Sequence, residues 1–217
     1  ILFSVLSIFS VPELFAQANQ KDAYFTDINI NCTFENTPQI NAANVAGLPV
    51  PKLDWWLQIN VDYKTVEKSE GKGAAKRFAW LDDVTIQYEI LLPSDSKKMV
   101  CLIGKETYWS IPMDGKQHHA VAFVHPRFIQ RYAPDIKTTN AYAKEIPIKV
   151  SFVLNEATLT GSFHPAKKFD QIGRMFQDAA RNPSITRVND SIFGRDKTPW
   201  RDLNYDYYEL IKQDGRK

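Results

Sequence analysis

The sequence predicts a mainly β chain folded as an antiparallel β-sandwich, with one or two short helices inserted. Three observations carry this. Short runs alternate apolar and polar residues with a period of two at seven or more places, as half-buried strands do. Clusters of Gly, Pro, Asp and Ser separate those runs, supplying turn chemistry between strands. Thirteen Phe, nine Tyr and five Trp give the chain an aromatic content suited to pleated surfaces. Many short amphipathic strands joined by turns close as two facing sheets.

The chain opens "ILFSVLSIFSVPELFAQANQ". No charge interrupts Ile1–Val11, Pro12 breaks the run, and Ala16-Gln17-Ala18 supplies a small-x-small triplet. This is the pattern of an export signal with cleavage after Ala18. The run is shorter than the roughly 20 apolar residues that span a bilayer. The rival reading keeps residues 1–18 as an apolar helix that packs against like subunits, although Pro12 and Glu13 fit poorly inside such a helix. On both readings the protein is exported, to the periplasm, the outer membrane surface or the extracellular space. Membrane contact is expected only if residues 1–18 are retained. Residues 19–217 then form one sandwich domain.

The strands follow in order. "AYFTDININCTFEN" alternates through Phe25 and, after a change of register, Ile28, Ile30 and Cys32. "LDWWLQINVDY" is the strongest: Leu53, Trp55, Leu57, Ile59, Val61 and Tyr63 share one face. Trp56 interrupts the polar face and is expected to be exposed. "DDVTIQYEILLP", "KMVCLIGK", "ETYWSIP", "EIPIKVSFVLN" and "ATLTGSFHP" add further strands. Asp114-Gly115 is a strong hairpin signal. "HPRFIQRYAP" predicts a two-turn helix with Pro126 early and Pro134 at its end. "AKKFDQIGRMFQDAARN" predicts a better one, with Phe169, Ile172, Met175, Phe176 and Ala179 at helical spacing and Asn182-Pro183 as the stop. A final strand is expected near Tyr205–Lys212.

Charge and motifs narrow the function. The net charge is +2 and the basic residues are spread along the chain, unlike a nucleic-acid binder with one basic face. No nucleophile elbow, HExxH or SxxK pattern occurs. The acids at Asp82-Asp83 and in "RDLNYDYYE" read as solvated faces and turns. No catalytic residue is assigned, and the protein is expected not to be an enzyme. His118, His119, His125 and His164 read as surface or turn-capping residues, with no metal site indicated. No cofactor is implied. Cys32 and Cys101 both lie in strand-like runs. In an exported protein they are expected to form a disulfide, the alternative being two buried thiols. Trp55 and Trp109 are assigned to the core. Trp56, Trp200 and Tyr208 are the candidate interface or ligand aromatics, since Trp and Tyr offer large contact area at low entropic cost.

The stretches "KLDWWLQINVDYKTVEK", "DDVTIQYEILLP" and "AVAFVHPRFIQRYAP", behind an export signal, resemble the Akkermansia-type pilus-like protein family. The resemblance covers most of residues 24–212 and implies an immunoglobulin-like β-sandwich similar to archaeal pilus subunits, encoded beside type IV pilus-like machinery. Antibody-type hallmarks are absent: no Trp follows Cys32 by a dozen residues and no Tyr lies two before Cys101. No site residue carries over. A true type IV pilin keeps a long N-terminal helix with Glu near its start, whereas Glu13 comes late and follows Pro12. The expected function is that of a cell-surface or pilus-associated structural protein with protein partners, either like subunits or pilus components. The alternative is a carbohydrate-binding module that presents exposed aromatic rings to a glycan.

Overall fold

A computed structural model describes residues 24–38, 54–70, 77–94 and 98–212. The expectations for residues 1–18, including the cleavage region at Ala16 and Ala18, lie outside those residues. The strands are β1 (Phe25–Asn36), β2 (Trp55–Thr65), β3 (Ser69–Glu70), β4 (Arg77–Phe78), β5 (Trp80–Pro93), β6 (Met99–Pro112) and β7 (Gln117–Val124). Helices α1 (Pro126–Tyr132) and α2 (Asn140–Ala143) follow, then β8 (Ile148–Leu154), β9 (Ala157–His164), α3 (Phe169–Arg181), β10 (Thr186–Val188) and β11 (Ile192–Gly194). One sheet has the order β1-β2-β7-β11, the facing sheet the order β10-β6-β5-β8-β9, and β3 and β4 form a small ribbon.

The two sheets bury a shared core because their strands alternate. Leu57, Ile59, Val61 and Tyr63 of β2 face Val84, Ile86, Tyr88 and Ile90 of β5 and Ile148, Val150 and Phe152 of β8, all fully buried. Each such side chain contributes about 1.5–3 kcal/mol relative to exposure. "KMVCLIGK" and "ETYWSIP" prove to be one strand, β6, which runs the length of β5 from Pro93↔Met99 to Trp80↔Pro112. The sandwich is not wholly antiparallel: β10 runs parallel to β6, with Arg187 opposite Cys101.

The helices are local solutions to the same need for burial. Ile172, Phe176 and Ala179 sit four and three residues apart on α3 and close over Leu91, Cys101 and Phe163 on the outer face of the five-stranded sheet. Phe169, predicted inward, starts the helix and stays 46% exposed, although its ring meets Phe163 edge-on at 4.9 Å. His125 caps α1 by accepting a hydrogen bond from the Arg127 N–H at 3.0 Å, with Pro126 beginning the helix. The one-turn α2, capped by Thr139, has no apolar period and was not expected.

Two expectations are overturned here. Cys32 and Cys101 are free thiols. Cys32 points into the core between the sheets, whereas Cys101 lies under α3 on the far side of the five-stranded sheet. A sheet separates the two side chains, so no disulfide can join them. Burial raises the pKa of the Cys32 thiol, and it pushes that of Cys101 up to about 11. The second correction concerns the tryptophans. Trp55 is exposed and Trp56 is buried. Trp55 begins β2 opposite Asn36, the last residue of β1, at the end of the paired strands, and stays 41% exposed. Trp109, also expected in the core, is 52% exposed.

Candidate functional site

The residues after β11 build a strap that closes one side of the sandwich. Between β6 and β7 the two sheets leave a seam, and β11 fills its upper part. Ile192 passes so close to β6 that a side chain at Gly104 would collide with the Ile192 carbonyl. Ser191 fastens the same crossing: its N–H donates to the Ile103 carbonyl at 3.0 Å and its hydroxyl accepts from the Ile103 N–H at 3.0 Å. Glu106, 5% exposed, accepts from the Gly194 N–H at 2.6 Å and pairs with Lys197 at 3.4 Å. Its pKa is raised, chiefly by burial and against the pull of Lys197.

Below β11 the strap itself fills the seam. The Glu209 N–H donates to the His119 carbonyl of β7 at 3.0 Å. One residue later the chain has crossed to the other sheet. The Trp109 N–H donates to the Leu210 carbonyl at 3.0 Å, and the Lys212 N–H to the Thr107 carbonyl at 2.7 Å. These bonds bracket an antiparallel bridge between Tyr108 and Ile211. The predicted strand over 205–212 is therefore a 3-10 turn at Tyr205–Tyr207 followed by a short extended segment shared between sheets.

Two histidines hold the strap from beneath. His118, almost fully buried, has Nδ1 2.6 Å from Glu209 Oε1 and Nε2 3.1 Å from Asp114 Oδ1. Its ring stacks on Tyr63. Both ring nitrogens face carboxylates, which suits the doubly donating imidazolium. Burial alone lowers the His118 pKa, but the hydrogen bonds and charges of Glu209 and then Asp114 outweigh it, and the net shift is upward. The Asp114 pKa is lowered: burial raises it, but the Lys116 N–H and His118 prevail. His119 Nδ1 lies 2.6 Å from Asp62 Oδ1, and its ring stacks on Tyr207 at 4.0 Å.

The three candidate aromatics come together, but not as an open platform. Trp200 stacks on Phe123 at 4.6 Å and meets Trp56 edge-on at 5.4 Å. With Val121 they form a small second core on the outer face of the four-stranded sheet, with Tyr208 packed at its margin. Trp56, predicted exposed, is 6% exposed because the strap covers it. Its indole N–H donates to Thr37 Oγ1 at 3.1 Å. The Tyr208 hydroxyl donates to Asn60 Oδ1 at 3.4 Å.

Other rings meet solvent, among them Trp80 and Trp109 on the β5–β6 hairpin, Tyr207 on the strap and Trp55 at the start of β2. Leu203 and Leu210 of the strap are also exposed. Sequence reasoning missed Trp109 because it assigned that ring to ordinary core packing, whereas its neighbour Tyr108 takes the inward position of β6. Two aspartates of β5 stand beside Trp109: Asp82 accepts from Ser110 at 2.5 Å, and Asp83, whose φ is 58°, pairs with Lys212 at 2.5 Å. The Lys212 ammonium lies 4.9 Å from the Trp109 ring. Of the remaining histidines, His125 is the expected cap, while His164 is buried and its pKa is lowered, chiefly by burial. Among the described residues no group of three or more His, Cys, Asp or Glu is placed to hold a metal ion, and no helix is long and apolar enough to cross a membrane.

Comparison with known proteins bears on the whole chain. A family model, that of the family the sequence resembles, matches residues 16–215. A solved structure from Akkermansia muciniphila superposes with a TM-score of 0.61 at 16% identity, covering 87% of this chain and 96% of the other. At that identity the likeness concerns the fold. No curated protein matches the chain.

Proposed function

Because this chain belongs to the Akkermansia-type pilus-like protein family, we propose that it is an exported structural protein of the cell surface or pilus, working through protein–protein contacts rather than catalysis. One observation carries the reading. Large apolar side chains, Trp80, Trp109, Tyr207 and Leu210, stand exposed on hydrogen-bonded strands and on the strap that closes the seam. Rigid aromatic anchors outside a cleft are the usual means of protein contact. The partners are like subunits or other surface components. Chemical cross-linking of intact cells tests this. The reading expects the protein in surface fractions, as multiples of one subunit or joined to another envelope protein. Recovery only as a cytoplasmic, uncross-linked monomer contradicts it.

A further inference from the structure

We propose that the end of the strap is exchangeable between copies: Tyr205–Lys212 of one molecule occupies, in a second copy, the seam that it fills in its own. This rests on the assembly reading above and names its device. The seam already shows which occupant it fits. Three main-chain hydrogen bonds, Glu209 to His119, Trp109 to Leu210 and Lys212 to Thr107, depend on backbone shape and not on which copy supplies the segment. His118, held from its other side by Asp114, receives the Glu209 carboxylate, and Asp83 receives the Lys212 ammonium.

The hold on this segment is uneven: Tyr207 and Leu210 are each more than half exposed, whereas Ile211 packs against the main core and Tyr208 against the small one. The first part of the strap, up to Leu203, is anchored differently. Trp200 is wedged on Phe123, and the buried Arg195 guanidinium donates to the Leu203 carbonyl at 2.8 Å. Between the two parts lies Asn204, in the left-handed region at φ 52°, where a pivot would lie. An emptied seam leaves the main-chain groups of Thr107, Trp109 and His119 without their partners and uncovers Tyr108, which is now 1% exposed. Such an edge favours refilling by an identical strand.

Cross-copy disulfide trapping tests the exchange on the full chain. Trp109→Cys and Leu210→Cys replace two exposed, adjacent residues, one on the seam and one on the strap. The double variant should close within a single chain, which reports that the two positions are in reach. Thr107→Cys with Lys212→Cys reads the neighbouring rung. Mixed at high concentration under oxidising conditions, the two single variants should yield a linked pair of about twice the 24.9 kDa chain. The control pair Asp178→Cys and Leu210→Cys, with Asp178 exposed on α3, reports random collision. Internal closure of the double variants, with no excess of linked pairs over the control, overturns the exchange. The unmodified chain is examined in parallel. Oligomers without cross-copy linkage overturn exchange alone, whereas a strict monomer overturns the assembly reading as well.

Discussion

Glu209 Oε1 lies 2.6 Å from His118 Nδ1, joining the end of the described chain to a strand 91 residues earlier. The pair is nearly buried, with side-chain exposures of 7% for His118 and 19% for Glu209. It determines how the strap responds to pH.

The His118 pKa is raised above its unfolded value of about 6.5. Its contribution is therefore fully present below about pH 6.5 and is lost as pH rises through the folded value. The Asp114 pKa is lowered, so its share is present above about pH 3.9 and is lost as pH falls through the folded value. The strap should be tightest between about pH 4 and 6.5 and loosen under alkaline conditions. Hydrogen-exchange protection at the Glu209 and Lys212 amides, corrected for intrinsic rates, checks this. Protection that stays constant or rises from pH 6 to pH 9 contradicts it.

Glu209→Gln keeps the shape of the side chain and removes the charge facing His118. A hydrogen bond to a charged group contributes about 1.5–3 kcal/mol, and the substitution should cost up to that amount at pH 6. The loss should shrink toward pH 9, as pH rises through the folded His118 value. Urea unfolding at the two pH values measures it, and an equal loss at both removes the electrostatic explanation.

Trp56→Ala should destabilise the fold by about 3–5 kcal/mol, since it empties the small core around Phe123 and Trp200. Trp109→Ala should change stability by about 0.5 kcal/mol or less, because the side chain is more than half exposed. Thermal melts of the two variants compare them directly. The opposite ranking would restore Trp109 to the core and Trp56 to the surface.

A reducing agent should leave the melting temperature unchanged, because Cys32 and Cys101 are separate buried thiols. A thiol reagent should count none in the native protein and two after unfolding. A drop in melting temperature on reduction would mean that a disulfide exists after all.

The long strands could be read from sequence because period-two alternation is imposed by burial on one face. Leu57 through Tyr63 and Val84 through Ile90 were placed correctly for that reason. Alternation gives phase but not the extent of the partner sheet, so Trp55 at the start of β2 was assigned a core it does not reach. Nor does alternation reveal what will cover an outward face. Trp56 is buried by Trp200, which lies 144 residues downstream and arrives by way of a turn. The strands β10 and β11 have three residues each, too few to show any period. The strap is held by main-chain groups and by carboxylate–histidine pairs, which place no repeating demand on the sequence. The contact between Glu209 and His118 therefore had no local signal.

Sedimentation velocity on the unmodified chain over a hundredfold range of concentration tests the assembly claim most directly. The account predicts that the weight-average sedimentation coefficient rises with concentration. It also predicts that the rise is strongly reduced in Trp109→Ser/Leu210→Ser, whose two substitutions fall on exposed side chains. A single monomeric boundary at every concentration, or equal association of the unmodified and doubly substituted chains, would contradict it.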